Sequence, residues 1–288
     1  MSNKDLLDNI KKLREMTGVG FKDCKVALDE TKGDIEKSIE FLRKKGIAKA
    51  SKKMSRTASE GLALVKEEAG QISIIEINSE TDFVAKNQDF INFCKELSEI
   101  NFSSKGNIDK LNESKMSNGS LVKDNLINLI AKIGEKITIR RANFFEKTKG
   151  ANFFYVHSAI EKNIGKIVSL VKLDGISKGK NDEIGGKLAM HIAASNPLAI
   201  TKEEIDKKVV DKELEIIKAE ITNSGKPADM AEKISQGKIT KFLNDNSLLN
   251  QIWIMDPKKK VSDILKENSS DTDIKVLDFI RYKVGEGV

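Results

Sequence analysis

Few residues in this 288-residue chain have types and spacings that could do chemistry. Gly-Lys pairs begin at residues 165, 179, 186, 225 and 237, yet none is followed by the Ser or Thr that a phosphate-cradling loop presents to Mg²⁺. Of the two histidines, His157 follows the strand-like run Phe153-Phe154-Tyr155-Val156, and His191 lies near the apolar face of a helix. Neither has a Ser, Cys or carboxylate at a spacing that identifies a triad, so any such partner would meet it only in the fold. A satisfied core or surface histidine is the default reading. Cys24 and Cys94 each sit among apolar neighbours of a predicted helix, as buried free thiols of a reducing compartment do, and nothing around them has metal-ligand spacing. No catalytic residue, metal or cofactor is therefore expected.

What remains is a stretch suited to binding. Thr81-Asp82-Phe83-Val84-Ala85-Lys86-Asn87 places an acid beside a large aromatic in a short connection from a strand to a helix. Two arrangements are open. In the commoner one Phe83 folds back into the local core and Asp82 caps the helix. In the other the side chains face a partner from a rigid support, as functional connections do.

Composition narrows the classes. Apolar residues make up 39% of the chain and aromatics 5%, which implies modest cores beneath large solvated surfaces, within a length sufficient for two or three compact units. Charged residues reach 33% with a net charge of +6, but acids and bases interleave along most helices instead of gathering on one face. No apolar run approaches the roughly 18 residues of a membrane span, and Met1-Ser2-Asn3-Lys4-Asp5 lacks a signal peptide's hydrophobic block. A cytoplasmic location is expected, with no membrane and no direct nucleic-acid partner.

The elements that must position the 81–87 connection follow from periodicity. Residues 5–46 read as three short helices: Leu6, Ile10 and Leu13 stripe the first, Gly18 and Gly20 break it, and Asp23 lies in the first turn of the second. Gly33 and Asp34 stop and restart the chain, Ile35, Ile39 and Leu42 stripe the third helix, and Gly46 ends it. Phe21, after the Gly-x-Gly turn, either closes this bundle or faces a partner. Lys44, Lys45, Lys49, Lys52, Lys53 and Arg56 then form a basic linker, read as a solvated hinge because no aromatics interleave to stack on bases. Residues 61–66 and 71–78 form a hairpin, the latter with Ile72, Ile74, Ile75 and Ile77 as a buried strand. A helix burying Phe90, Ile91, Cys94 and Leu97 follows, residues 101–119 read as irregular, a helix over 121–133 stops at Gly134, and 136–140 alternates as a strand. The second half repeats the theme with strands at 152–160, 166–173 and 273–284 around a helix at 183–194. Ile139-Arg140 and Ile280-Arg281 fall at matching ends of the halves, a hint of duplication. Between them, helices over 202–223 and 229–244 joined by a turn at 224–227 form a protruding antiparallel hairpin. Trp253 reads as core packing, not a binding anchor.

Four motifs carry a resemblance. Ser79-Glu80-Thr81-Asp82-Phe83-Val84-Ala85-Lys86-Asn87 is similar to the signature of the elongation factor Ts family, the bacterial nucleotide-exchange factors for elongation factor Tu. The run from Leu13 to Leu28, Met190-His191-Ile192-Ala193-Ala194-Ser195 and Ile280-Arg281-Tyr282-Lys283-Val284-Gly285-Glu286-Gly287 resemble three more, all in the family's order. The resemblance implies an α+β fold: an N-terminal three-helix module of the ubiquitin-associated (UBA-like) type with the basic linker (1–54), two similar core subdomains with antiparallel sheets (55–140, and 141–199 with 248–288), and a helical hairpin insertion of coiled-coil type (200–247). In the family such an insertion is used in contacts with elongation factor Tu or with a second copy of the factor, and the resemblance implies the same here. The resemblance also implies that Thr81, Asp82, Phe83 and Val84 approach the GTPase and dislodge its Mg²⁺, with Phe21, Ile133, Gly134 and His157 as further contacts.

Departures from the family pattern are local. Gln251-Ile252-Trp253 stands where Gln-Pro-aromatic is usual, the Asn181-Asp182 neighbourhood looks enlarged, and the chain stops at Val288, where some relatives continue into a further helical module whose contact is expected to be absent. The competing class is a ribosome- or RNA-associated protein using the basic linker. It predicts RNA affinity that falls steeply with salt and survives Phe83→Ala. An enzyme with spatially assembled acids has only plentiful carboxylates in its favour.

Overall fold

The computed structural model describes residues 3–17, 19–147, 149–176, 182–223, 228–269 and 272–288. The expected break at Gly18, the Asn181 enlargement and the 224–227 turn lie outside them. Helices α1 (Asn3–Thr17), α2 (Phe21–Glu30) and α3 (Ile35–Ser51) come first. The next stretch contains β1 (Glu60–Glu68), β2 (Gln71–Ser79), α4 (Asp82–Ala85), α5 (Gln88–Ser103), α6 (Ile108–Glu113), α7 (Val122–Ile133) and β3 (Ile137–Phe145). The last contains β4 (Ala151–His157), β5 (Ile164–Gly165), β6 (Ile167–Asp174), α8 (Asp182–Ser195), α9 (Lys207–Asn223), α10 (Ala228–Asn246), α11 (Val261–Asn268) and β7 (Lys275–Lys283).

Both antiparallel sheets are built the same way. In the first, of order β3-β2-β1-β5, β1 and β2 form a hairpin whose turn residues Ala69 and Gly70 have φ of 51° and 83°, the left-handed pair that a two-residue hairpin requires. Helices follow, and β3 returns beside β2. In the second, of order β4-β6-β7, the chain again runs through two paired strands and helices to a third strand beside the second. The sheets face each other through Val65, Ile72, Ile74, Val168, Leu170 and Tyr282. Helices α4, α5 and α7 cover the outer face of the first sheet, and α8 and α11 that of the second, so the core is a four-layer sandwich. Strands buried on both faces explain why β2 reads as near-continuous isoleucine instead of alternating.

The N-terminal helices enclose a small core of Ile10, Leu13, Cys24, Ala27, Leu28 and Leu42. Gly46 does not end α3. The helix continues to Ser51 and lies against α7, where a Cβ on Gly46 would make ordinary contact at 3.7 Å with Ala131 Cβ and Ile127 Cγ2, so Gly46 is an interior position of a packed helix and not its end. The expected hinge thus begins as packed helix. Residues 101–119 are also more ordered than their polarity suggests: Asn101 donates from Nδ2 to the Ile74 carbonyl (3.1 Å), and Asn107 caps α6 so that Leu111 is fully buried. Strand β3 pairs along all of β2, out to Phe145 opposite Ile72, so the expected division at residue 140 falls inside a strand.

Helices α9 and α10 run antiparallel, since Ala199 bridges Ser247 at one end and Glu220 pairs with Lys238 further along. Val209 and Ile216 of α9 remain exposed. No helix among the described residues is long and apolar enough to cross a membrane.

Candidate partner-binding site

Strand β2 delivers Thr81 to the start of α4 with all its polar backbone groups engaged. Its N–H donates to Glu135 Oε2 (3.0 Å), its hydroxyl to Glu135 Oε1 (2.8 Å), and its carbonyl accepts from Ser79 Oγ (3.0 Å). The neighbouring acid reciprocates: Glu80 Oε1 accepts the Lys136 N–H (2.5 Å), and its carboxylate pairs with Arg56 (3.3 Å). The Lys53 ammonium donates to the Gly134 carbonyl, and Lys136 Nζ to the Arg56 carbonyl (2.8 Å). Gly134 holds φ of 92°, the left-handed C-cap of α7. Ile133 packs against the core beneath. The 81–84 and 133–136 segments therefore form one braced unit.

From this brace α4 splits its side chains. Val84 and Ala85 are buried in the core of the first sheet, whereas Phe83 is 78% exposed, more than any other large apolar side chain described. The local expectation that Phe83 folds back is thus overturned: Val84 and Ala85 already fill the available bed. Asp82 is not a cap either. It is the first residue of α4, while Asn87 caps α5 by accepting the Asp89 N–H (2.9 Å). Val84, expected to approach a partner, is buried in the core next to the exposed aromatic. Asp82 bonds Lys86 (2.7 Å), and that hydrogen bond, with smaller charge effects of Lys86 and Lys166, holds its carboxyl below the ordinary 3.8 against slight desolvation.

His157 ends β4, exposed, with Nδ1 3.3 Å from Tyr155 Oη. Its carbonyl accepts the Lys166 N–H (3.2 Å), and the Lys166 ammonium bonds Glu60 (2.7 Å) and acts on Asp82. His157 and the 81–87 connection consequently share one end of the sandwich. Phe21 is separate: it opens α2, half exposed, in the N-terminal unit, where α2 packs on α1 and α3.

His191 is fully buried. Its Nε2 meets Gln251 Oε1 (2.9 Å), its Nδ1 accepts the Ile254 N–H (3.4 Å), and its ring stacks on Trp253 at 5.1 Å. Those partners describe a neutral ring protonated at Nε2, and burial lowers its pKa below 6.5 despite the Gln251 bond. Trp253 is core, as its sequence setting suggested. Burial raises both thiols, Cys94 well above the ordinary 9.0, so neither is a ready nucleophile. Among the described residues no group of three His, Cys, Asp or Glu could hold a metal.

Sequence reasoning missed the bracing residues Lys53, Arg56, Glu80 and Glu135. The available signals were an acid directly after a helix-stopping glycine and another directly before Thr81. It also missed Glu76, fully buried on β2. A bulge between Glu76 and Ile77 lets consecutive residues Arg140 (3.0 Å) and Arg141 (2.5 Å) reach one carboxylate, joined by the N–H of Gly285 (2.9 Å). Burial opposes the charge, but the Gly285 and Arg141 hydrogen bonds outweigh it and hold the carboxyl below 4.5.

Comparison with known proteins agrees with this architecture. A family profile described as Elongation factor TS matches residues 80–286. The chain is 40% identical to elongation factor Ts of Rickettsia felis over 283 residues, covering 97% of this chain and 91% of the relative. The Maricaulis maris protein is 40% identical over 286 residues with the same coverage, and the Clostridium kluyveri protein 41% identical over 287 residues, covering 97% and 92%. With the profile match running from Glu80 through β3 to β7 and taking in the exposed aromatic, and with relatives matched along nearly the whole chain, the chain belongs to the elongation factor Ts family.

Proposed function

We propose that this chain is a cytoplasmic guanine-nucleotide exchange factor that binds elongation factor Tu and promotes GDP release during translation elongation. Such a factor needs no catalytic group. By linkage, a protein that binds the nucleotide-free form of a GTPase more tightly than the loaded form weakens nucleotide binding by the same factor. A GTPase holds its nucleotide through a phosphate-cradling loop and Mg²⁺. A wedge that disturbs either lowers nucleotide affinity.

The observation that carries the reading is Phe83, exposed on a four-residue helix whose other face is buried and whose entry is braced. Exposing an aromatic to water is unfavourable, and a rigid exposed aromatic suits a hot spot in a partner's pocket. Phe83 enters between elements near the phosphate site so that Mg²⁺ coordination is lost. Asp82, kept anionic by Lys86, competes electrostatically for groups on the metal side. Thr81 and Val84 hold these two in place, and Ile133, Gly134 and His157 extend the contact along the same end. Phe21 supplies a second, separate contact from the N-terminal unit, which we take to be of the UBA-like type. The α9–α10 hairpin, with Val209 and Ile216 exposed, meets elongation factor Tu or a second copy. The subdomain division is retained with its first boundary moved beyond Phe145. RNA binding through the basic linker is disfavoured, because Lys53 and Arg56 are committed to Gly134 and Glu80.

The test is release of a fluorescent GDP analogue from the cognate elongation factor Tu, chased with unlabelled GDP, with and without the chain and with Phe83→Ala. Acceleration by the native chain and much less by the variant supports the reading. Unchanged release leaves a partner without exchange activity.

A further inference from the structure

A four-residue helix cannot hold its own direction. Nucleation of helical structure is unfavourable, and pieces this short persist only through their surroundings. Helix α4 also lacks the usual help at its start: Thr81 occupies the N-cap position with extended backbone (φ −125°, ψ 158°), yet its side chain makes no cap hydrogen bond. The hydroxyl is spent elsewhere, on Glu135, together with the Thr81 N–H. The hydroxyl that could cap α4 is thus committed to Glu135, which leaves Glu135 and not a cap to fix the entry to the helix. Glu135 is itself well placed to act as an anchor. It follows the left-handed Gly134, whose carbonyl receives the Lys53 ammonium, and precedes Lys136, whose N–H is held by Glu80.

We infer that Glu135 is a positioning residue for exchange: by gripping Thr81 through two hydrogen bonds it sets the direction in which α4 presents Phe83. The inference rests on the exchange reading above and deepens it. Glu135 acts through Phe83, so its effect depends on the aromatic being present. Displacement of a reacting or wedging group by about 1 Å can cost up to about a hundredfold in rate. Loss of one of several supports is expected to cost less.

Two measurements test it. In the first, the maximal rate of GDP release at saturating factor is compared for the native chain, Glu135→Ala, Phe83→Ala and the double variant. Glu135→Ala is expected to lower the maximal rate about tenfold, with a smaller change in the concentration giving half-maximal rate. Glu135→Gln, which keeps one acceptor oxygen, should recover part of the loss. In the Phe83→Ala background Glu135→Ala should add almost nothing, and a full additive loss there would overturn the inference by making Glu135 an independent contact. The second measurement is amide hydrogen exchange in the free protein. Glu135→Ala should deprotect Thr81 and α4 while β1 and β2 remain protected, and unchanged protection of Thr81 overturns the inference whatever the exchange assay gives. A native chain that fails to accelerate release overturns the exchange reading and, with it, the role of Glu135 in exchange. Hydrogen exchange then still reports whether Glu135 holds α4.

Discussion

Phe83 and Trp253 are both large aromatics on short segments between longer elements, and the fold treats them in opposite ways. Around Trp253 three segments converge: α8 supplies His191 for stacking, the turn after it receives the Trp253 N–H through the Lys259 carbonyl (2.8 Å), and α11 closes the core. The flanking Ile252 and Ile254 stay exposed while the indole turns inward. Around Phe83 no such bed exists, since Val84 and Ala85 already seal the sheet and the backbone before them is tied to Glu135. Residue type does not separate a core aromatic from a binding aromatic. Whether neighbouring elements leave a concave space does.

That contrast can be broken by substitution. Trp253→Ala should have the largest effect on stability, about 3–5 kcal/mol, because it opens a cavity against the His191 ring, and urea unfolding would measure it. The folded fraction should still promote GDP release. Phe83→Ala should do the reverse, leaving stability within about 0.5 kcal/mol while removing about 2 kcal/mol of partner interaction, roughly 30-fold in exchange. A marked drop in its unfolding midpoint would mean that Phe83 packs into the fold and would erase the distinction.

Acidity sharpens the comparison. His191 titrates below its ordinary 6.5 in the folded chain, so the unfolded state binds the proton first. The stability of the neutral buried ring is therefore complete above pH 6.5 and is lost as pH falls through the lower folded value. Glu76 adds a second loss, beginning only as pH falls below 4.5 through its own lowered value. Unfolding midpoints across pH should fall in both windows for the native chain, and His191→Gln should flatten the upper one. The smallest effect belongs to Asp82→Asn. It breaks only the solvent-exposed pair with Lys86, so unfolding should be unchanged, while GDP release should slow less than with Phe83→Ala.

Much of this was readable in advance. The hairpin of β1 and β2, the stop of α7 at Gly134, the apolar face of α5 and the repeated strand arrangement follow from local pattern, because period and turn chemistry act between near neighbours. Gly46 carries a local stop signal that the fold overrides, since packing against α7, far along the chain, carries α3 past it to Ser51. The extension of β3 beyond residue 140 depended on pairing with a distant part of β2, Arg141 opposite Glu76 and Phe145 opposite Ile72. Polar residues such as Asn101 and Asn107 masked ordered helix because their side chains serve specific backbone groups.

By itself the sequence determined the elements, the family motifs and the candidacy of the 81–87 connection, all of which rest on short-range spacing. Only the tertiary structure decided which side chains of that connection face outward and what holds them. Arg56, Lys53 and Glu135 meet Glu80, Gly134 and Thr81 across separations in the chain that no local pattern records. Charges that look like a solvated linker become anchors once folding brings opposite groups within hydrogen-bond reach, because the attraction depends on distance in space and not on distance in sequence.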